Sequence, residues 1–174
     1  MSVLESGPEP CTWPTTVNEL ETAEQFVVLS FRHCVFSQSD KDYPLGKGAL
    51  REHLKTLGND DGEMALTYIS QLVSCMRRGA RRSFSLYAPC YPGLGVDEAW
   101  VICFLAACQS RQPNLARTLA NWMIKPIAFD ELMKPSIGFA QTLYKNDVLL
   151  PLRFCMSATG PISTWATDGP VTIH

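Results

Sequence analysis

Apolar residues recur at intervals of three and four along most of the chain, and each such run predicts a helix with one buried face. Leu20, Ala23, Val27, Phe31 and Cys34 form the first stripe, and Thr16 and Glu19 ahead of it have the spacing of a capping box, so a helix is predicted over 17–36. Residues 37–47, with Pro44 and Gly46, interrupt the pattern. Leu50, Leu54 and Leu57 then predict a short amphipathic helix that Gly58 ends. Asn59, Asp60, Asp61 and Gly62 read as a turn whose acids also cap the helix after it. In that helix Ala65, Ile69, Leu72, Val73 and Met76 share a face, and Gly79 is the expected stop.

The period drops to two where Phe84, Leu86 and Ala88 alternate with Ser83, Ser85 and Tyr87, which predicts a brief extended segment. Beyond the adjoining Pro/Gly-rich stretch, Asp97 is the expected N-cap of a helix, with Glu98 placed favourably against its dipole. That helix is apolar on all sides over 99–108, a pattern that predicts a place at the centre of the fold. Pro113 suits the first turn of another helix, striped by Leu115, Leu119, Trp122 and Met123. A further helix is expected over 128–145, weakened by Pro135 and Gly138. Past Asn146 the helical pattern fails, and Val148, Leu149, Leu150, Leu152 and Phe154 are expected to lay a strand or hook onto the body.

The predicted architecture is therefore mainly all-α: one compact domain of about five or six helices over 16–156, with one short extended segment. Residues 1–15, with three prolines, predict a flexible N-terminal arm, and 157–174 an extended or disordered tail. Trp13 and Trp165 lie in these tails, either as exposed anchors for a partner or folded back and buried. No repeat of solenoid length occurs.

Composition narrows the function classes. At 174 residues and 46% apolar content the chain can close a single core. A net charge of -2 argues against a surface built throughout for nucleic acid. Seven cysteines (11, 34, 75, 90, 103, 108 and 155) show no paired spacing, and those in helical runs read as reduced core thiols. The acidic, proline-bearing opening does not resemble a secretory signal, and a reducing, cytoplasmic setting is expected. The longest apolar run, 99–108, is about half of what a membrane helix needs, so no membrane association is expected.

The segment over 77–98 holds the candidate chemistry. Arg77, Arg78, Arg81 and Arg82 crowd four of the fifteen basic residues into six positions, an arrangement that favours a nearby anion, with Phe84 and Tyr87 as stacking surface. Arginines in a last helical turn also simply complement its negative end. Cys90 stands in a turn ahead of a helix start, where a thiol can be activated, but His33 and His53 are distant and no four-ligand zinc spacing is present. Dinucleotide, P-loop, hydrolase and zinc-protease signatures are absent from the sequence, and Asp97 with Glu98 needs no role beyond capping.

Arg81 with Arg82, then Ala88, Pro89, Cys90, Tyr91 and Pro92, then Asp97 with Glu98 opening an apolar helix, resemble a pattern in short helical proteins of alphaproteobacteria whose function is not known. The resemblance covers residues 20–125 and implies a helical fold and a bacterial origin, with no activity attached. In those proteins a second cysteine sits where this chain has Tyr91.

The functional expectation is a non-catalytic interaction or regulatory module with a protein partner or self-association, and with no cofactor and no metal. Two alternatives stand beside it: a regulator that binds nucleic acid or another anion through the arginine cluster, and a thiol or metal site at Cys90. The candidate binding residues are Arg77, Arg78, Arg81, Arg82, Tyr87, Cys90 and Asp97.

Overall fold

The computed structural model describes residues 13–39, 46–153 and 171–173. Six α-helices make up its body: α1 (Thr22–Ser39), α2 (Gly46–Leu54), α3 (Asn59–Gly79), α4 (Val96–Gln109), α5 (Pro113–Met123) and α6 (Phe129–Lys145). Two three-residue strands, β1 (Phe84–Leu86) and β2 (Val171–Ile173), pair antiparallel with Phe84 opposite Ile173. The mainly helical expectation holds, and the extended segment gains a partner from the far end of the chain. Parts of the predicted arm (1–12), of the interruption after α1 (40–45), of the end of the predicted domain (154–156) and of the tail (157–170 and 174) lie outside the described residues, Phe154 and Trp165 among them.

One continuous core joins all six helices. The apolar helix α4 lies within it as expected, with Ala106, Ala107, Phe104 and Leu105 fully enclosed, and packs on α5, α6 and α1. The most extensive helix pairing is α3 on α6. Close approach explains Gly79 at the end of α3, because a Cβ there would come within 2.5 Å of the Ala128 Cβ.

Three local expectations change. The first helix does not begin at residue 17: Val17–Glu19 forms a 3-10 turn, Leu20 and Glu21 are extended or irregular, and α1 starts at Thr22. The Glu19 carboxylate accepts the amides of Thr15 (2.7 Å) and Thr16 (3.2 Å), so the predicted capping box closes the short turn, while Glu24 caps α1 by accepting the Glu21 amide at 2.8 Å. Asn59 to Gly62 is already the first turn of α3, preceded by Gly58, whose φ of 89° makes the sharp entry. Helix α4 is capped at Gly95 and not at Asp97, because Glu98, three residues on, turns back to accept the Gly95 amide at 2.8 Å.

Helix α6 runs unbroken through Pro135, which removes the amide that would bond the Glu131 carbonyl. The Cys75 thiol of α3 donates to that carbonyl at 3.7 Å instead. Beyond α6, Gln109 holds the next segment by donating to the Val148 carbonyl (2.9 Å) and accepting the Leu150 amide (2.8 Å). Val148, Leu150 and Leu152 then pack on the core as the expected hook, with Leu149 facing out. Arg153 closes it with a bidentate pair to the buried Glu24, its Nε 2.6 Å from Oε1. The Arg153 guanidinium also lies 5.9 Å from the Trp13 ring, which folds back onto the core.

Candidate functional site

The connection from β1 to α4 is an exposed loop fixed from beneath by a buried charge. Arg32 projects from α1 beside Val28 and Val35, an apolar stretch that leaves it no water to bond, and is fully enclosed. Each of its five N–H groups finds an acceptor. Nε and Nη2 donate to the two Glu98 oxygens, both at 2.7 Å, Nη1 donates to the carbonyls of Tyr91 (2.7 Å) and Ala88 (3.3 Å), and Nη2 donates to that of Gly93 (2.5 Å). Glu98, equally buried, accepts the amides of Tyr87 (3.2 Å) and Gly95 (2.8 Å) besides the guanidinium. The planar fork of arginine is what allows one side chain to serve a carboxylate and three backbone carbonyls at once.

The chain before α1 pins the same loop from its other side. Val17 donates its amide to the Pro92 carbonyl (2.8 Å), and Leu94 donates to Thr15 (2.9 Å), forming a bridge between Thr16 and Gly93. Cys90, Tyr91 and Pro92 face solvent. The Tyr91 ring packs over Gly93 and stacks on Tyr87, with centroids 4.3 Å apart, while the Arg32 guanidinium lies 5.9 Å from the Tyr87 ring.

The arginine cluster divides. Arg78 pairs with Glu131 on α6, and Arg81 donates through Nε to the Ile124 carbonyl at 2.7 Å, which ties the end of α3 to the end of α5. Arg82 forms a bidentate pair with the buried Asp97, whose Oδ2 also accepts the Ser85 amide at 2.7 Å, so Asp97 anchors β1 to α4. This hydrogen-bonded carboxylate holds the Arg82 pKa above its ordinary value. Arg77 is exposed and has no hydrogen-bond or ionic partner among the described residues. Arg77, Arg81 and Arg82 rim a cleft of about 300 Å³ floored by Phe31, Val35, Val73, Met76, Phe84 and Leu86.

No family model, curated protein or solved structure matches this chain.

The predicted site residues are thus brought together in two groups. Arg82 and Asp97 form a pair and Tyr87 joins the loop scaffold, whereas Arg78 and Arg81 turn to α6 and α5. Cys90 is exposed with no hydrogen-bond or charged partner among the described residues, which also hold no group of His, Cys, Asp and Glu side chains arranged to bind a metal ion. Sequence reasoning missed Arg32, the residue on which the loop depends. Its signal was an arginine in register with Val28 and Val35 on an apolar helix face, where only a buried acceptor set makes a charge tolerable.

Among the described residues no helix is long and apolar enough to cross a membrane.

Proposed function

We propose that this chain is a non-catalytic interaction module whose recognition surface is the loop over 88–93. The observation that carries this reading is the Arg32 guanidinium, which holds three loop carbonyls from inside while Cys90, Tyr91 and Pro92 face outward. Ordering a backbone costs about 1–2 kcal/mol per residue, and a loop ordered during folding spares a docking partner that cost. Tyr91 held against Tyr87 has the character of an aromatic anchor with restricted rotamers, the residue type that concentrates binding energy at interfaces. The five free cysteines among the described residues fit the reducing, cytoplasmic setting expected from the cysteine spacing and the opening of the sequence.

Neutralisation of Arg78 and Arg82 by Glu131 and Asp97 counts against a strip of four arginines that tracks a phosphate backbone. Cys90 has no hydrogen-bond or ionic partner among the described residues, which favours the interaction reading over a thiol site.

Affinity capture from a lysate, quantified on wild type, Tyr91→Ala and Met64→Ala, tests the proposal; Met64 is an exposed residue of α3 away from the loop in sequence. A partner depleted about tenfold by Tyr91→Ala and retained by Met64→Ala supports it. Captured proteins indifferent to Tyr91→Ala overturn it.

A further inference from the structure

We propose that the cleft between α1, α3 and β1 is a binding site for a short aliphatic carboxylate, with the hydrocarbon chain on the apolar floor and the carboxylate between Arg77 and Arg81. The floor is made by side chains that the fold already encloses: Phe31, Val35, Val73, Met76 and Leu86 are each no more than 3% exposed, and Phe84 7%. The small part of this lining that the cleft leaves open is apolar, and an alkyl chain that covers it gains about 25 cal/mol per Å² of apolar area covered.

The rim decides the head group. Of its three guanidinium groups only Arg82 is neutralised, by Asp97. Arg77 has no acceptor among the described residues, and Arg81 commits Nε alone, leaving its Nη groups without one. Two uncompensated like charges beside one opening favour an anion, and a guanidinium bonds a carboxylate through two parallel N–H donors. The rim is held in place independently of any ligand: Arg81 donates its amide to the Met123 carbonyl at 3.1 Å, and Ala80 bridges to Ile124. A volume of about 300 Å³ lies at the small end of ordinary ligand sites, which selects a short chain over a long acyl chain. This site lies on the α3 side of β1 and does not depend on the loop reading above.

The test is a titration of the intact protein with octanoate, octanol and octylammonium, monitored by methyl NMR. Octanoate is expected to shift the methyl signals of Val35, Val73 and Met76 and to bind about tenfold more tightly than octanol, with octylammonium weaker still. Arg77→Gln removes no side-chain hydrogen bond or ion pair among the described residues and is expected to weaken octanoate several-fold while leaving octanol unchanged. Equal affinity for octanoate and octanol, shifts confined to other methyl groups, or no binding at about 1 mM ligand each overturn the proposal.

Discussion

Arg32 and Glu98, 66 residues apart, meet in a bidentate pair from which water is wholly excluded. A buried ion pair is by itself weak evidence of stability, since desolvating two charges can cost more than their attraction returns. Here the pair has a second task. Residues 87–95 turn three carbonyls and two amides towards the interior, and buried backbone groups must be bonded. An apolar pair of the same size would fill the space and leave those groups orphaned.

Glu98→Gln and Arg32→Met are accordingly expected to cost about 3–5 kcal/mol each, as removal of one partner of a buried pair does. The double variant Arg32→Met with Glu98→Leu should recover less than is usual for buried pairs, because the loop carbonyls remain unsatisfied. Urea unfolding measures this, and amide exchange at Tyr87 and Gly95 reports the loop directly. A double variant as stable as wild type, with exchange unchanged, would show that the pair does not hold the loop.

Cys75 and Pro135 form a second coupled pair, through the Glu131 carbonyl. Cys75→Ala leaves that carbonyl without a donor and is expected to destabilise by about 1–3 kcal/mol, the cavity and the lost bond together. Pro135→Ala restores an amide at the position where α6 lacks one. In the double variant the new amide takes over the carbonyl, so the cost of Cys75→Ala should fall by about 1 kcal/mol. Strict additivity in a double-mutant cycle would remove the thiol from this role.

Helix count, the central place of α4 and the hook after α6 were legible because each arises from periodic apolar residues over a long window. The helix ends were not. A capping pattern at Thr16 and Glu19 fits a 3-10 turn as well as an α-helix, and an acid at Asp97 serves equally as a cap or as an anchor for Arg82 and β1. The carbonyl that Pro135 leaves without an amide is met by a thiol from another helix, and the loop carbonyls are met by an arginine from α1. Such partners are far away in sequence and carry no local pattern. The segment over 77–98 was recognisable as unusual; which of its residues bond to distant elements shows only in the tertiary contacts.

The cysteines should separate sharply by reactivity. Burial pushes the Cys34 thiol up to about 11 and those of Cys103 and Cys108 up to about 12, and raises Cys75 as well, whereas Cys90 is exposed. The thiolate is the nucleophile, so at about pH 8 a short iodoacetamide pulse should label Cys90 first among the described cysteines, with Cys34, Cys103 and Cys108 protected until the protein unfolds. Peptide mass spectrometry reads each site separately. Native labelling of Cys103 or Cys108 as fast as Cys90 would contradict the packing of α4.

His33 and His53 predict a loss of stability in mild acid. The Nδ1 atom of His33 is buried without a hydrogen-bond partner among the described residues. The His53 ring stacks on Phe26, with centroids 4.3 Å apart, and its Nε2 lies 3.2 Å from the Phe26 carbonyl. Burial lowers both pKa values from the ordinary 6.5, helped at His33 by the neighbouring His53 and opposed at His53 by the Phe26 carbonyl. Below about pH 6.5 the unfolded chain therefore binds protons that the folded one refuses, and stability falls as pH drops, levelling only below the folded-state values. Asp61, held below its usual range by Lys145 and Asn146, and Glu19, held low by the Thr15 and Thr16 amides, act in a separate window. Their contributions are complete above about pH 4.5 and are lost only at lower pH, as the folded carboxylates titrate. Urea midpoints from about pH 7.5 to about pH 5 should fall for wild type and fall less for His33→Leu and for His53→Phe, which keeps the ring stack. A flat wild-type profile, or one that neither variant alters, would mean that the two imidazoles titrate alike in the folded and unfolded chains.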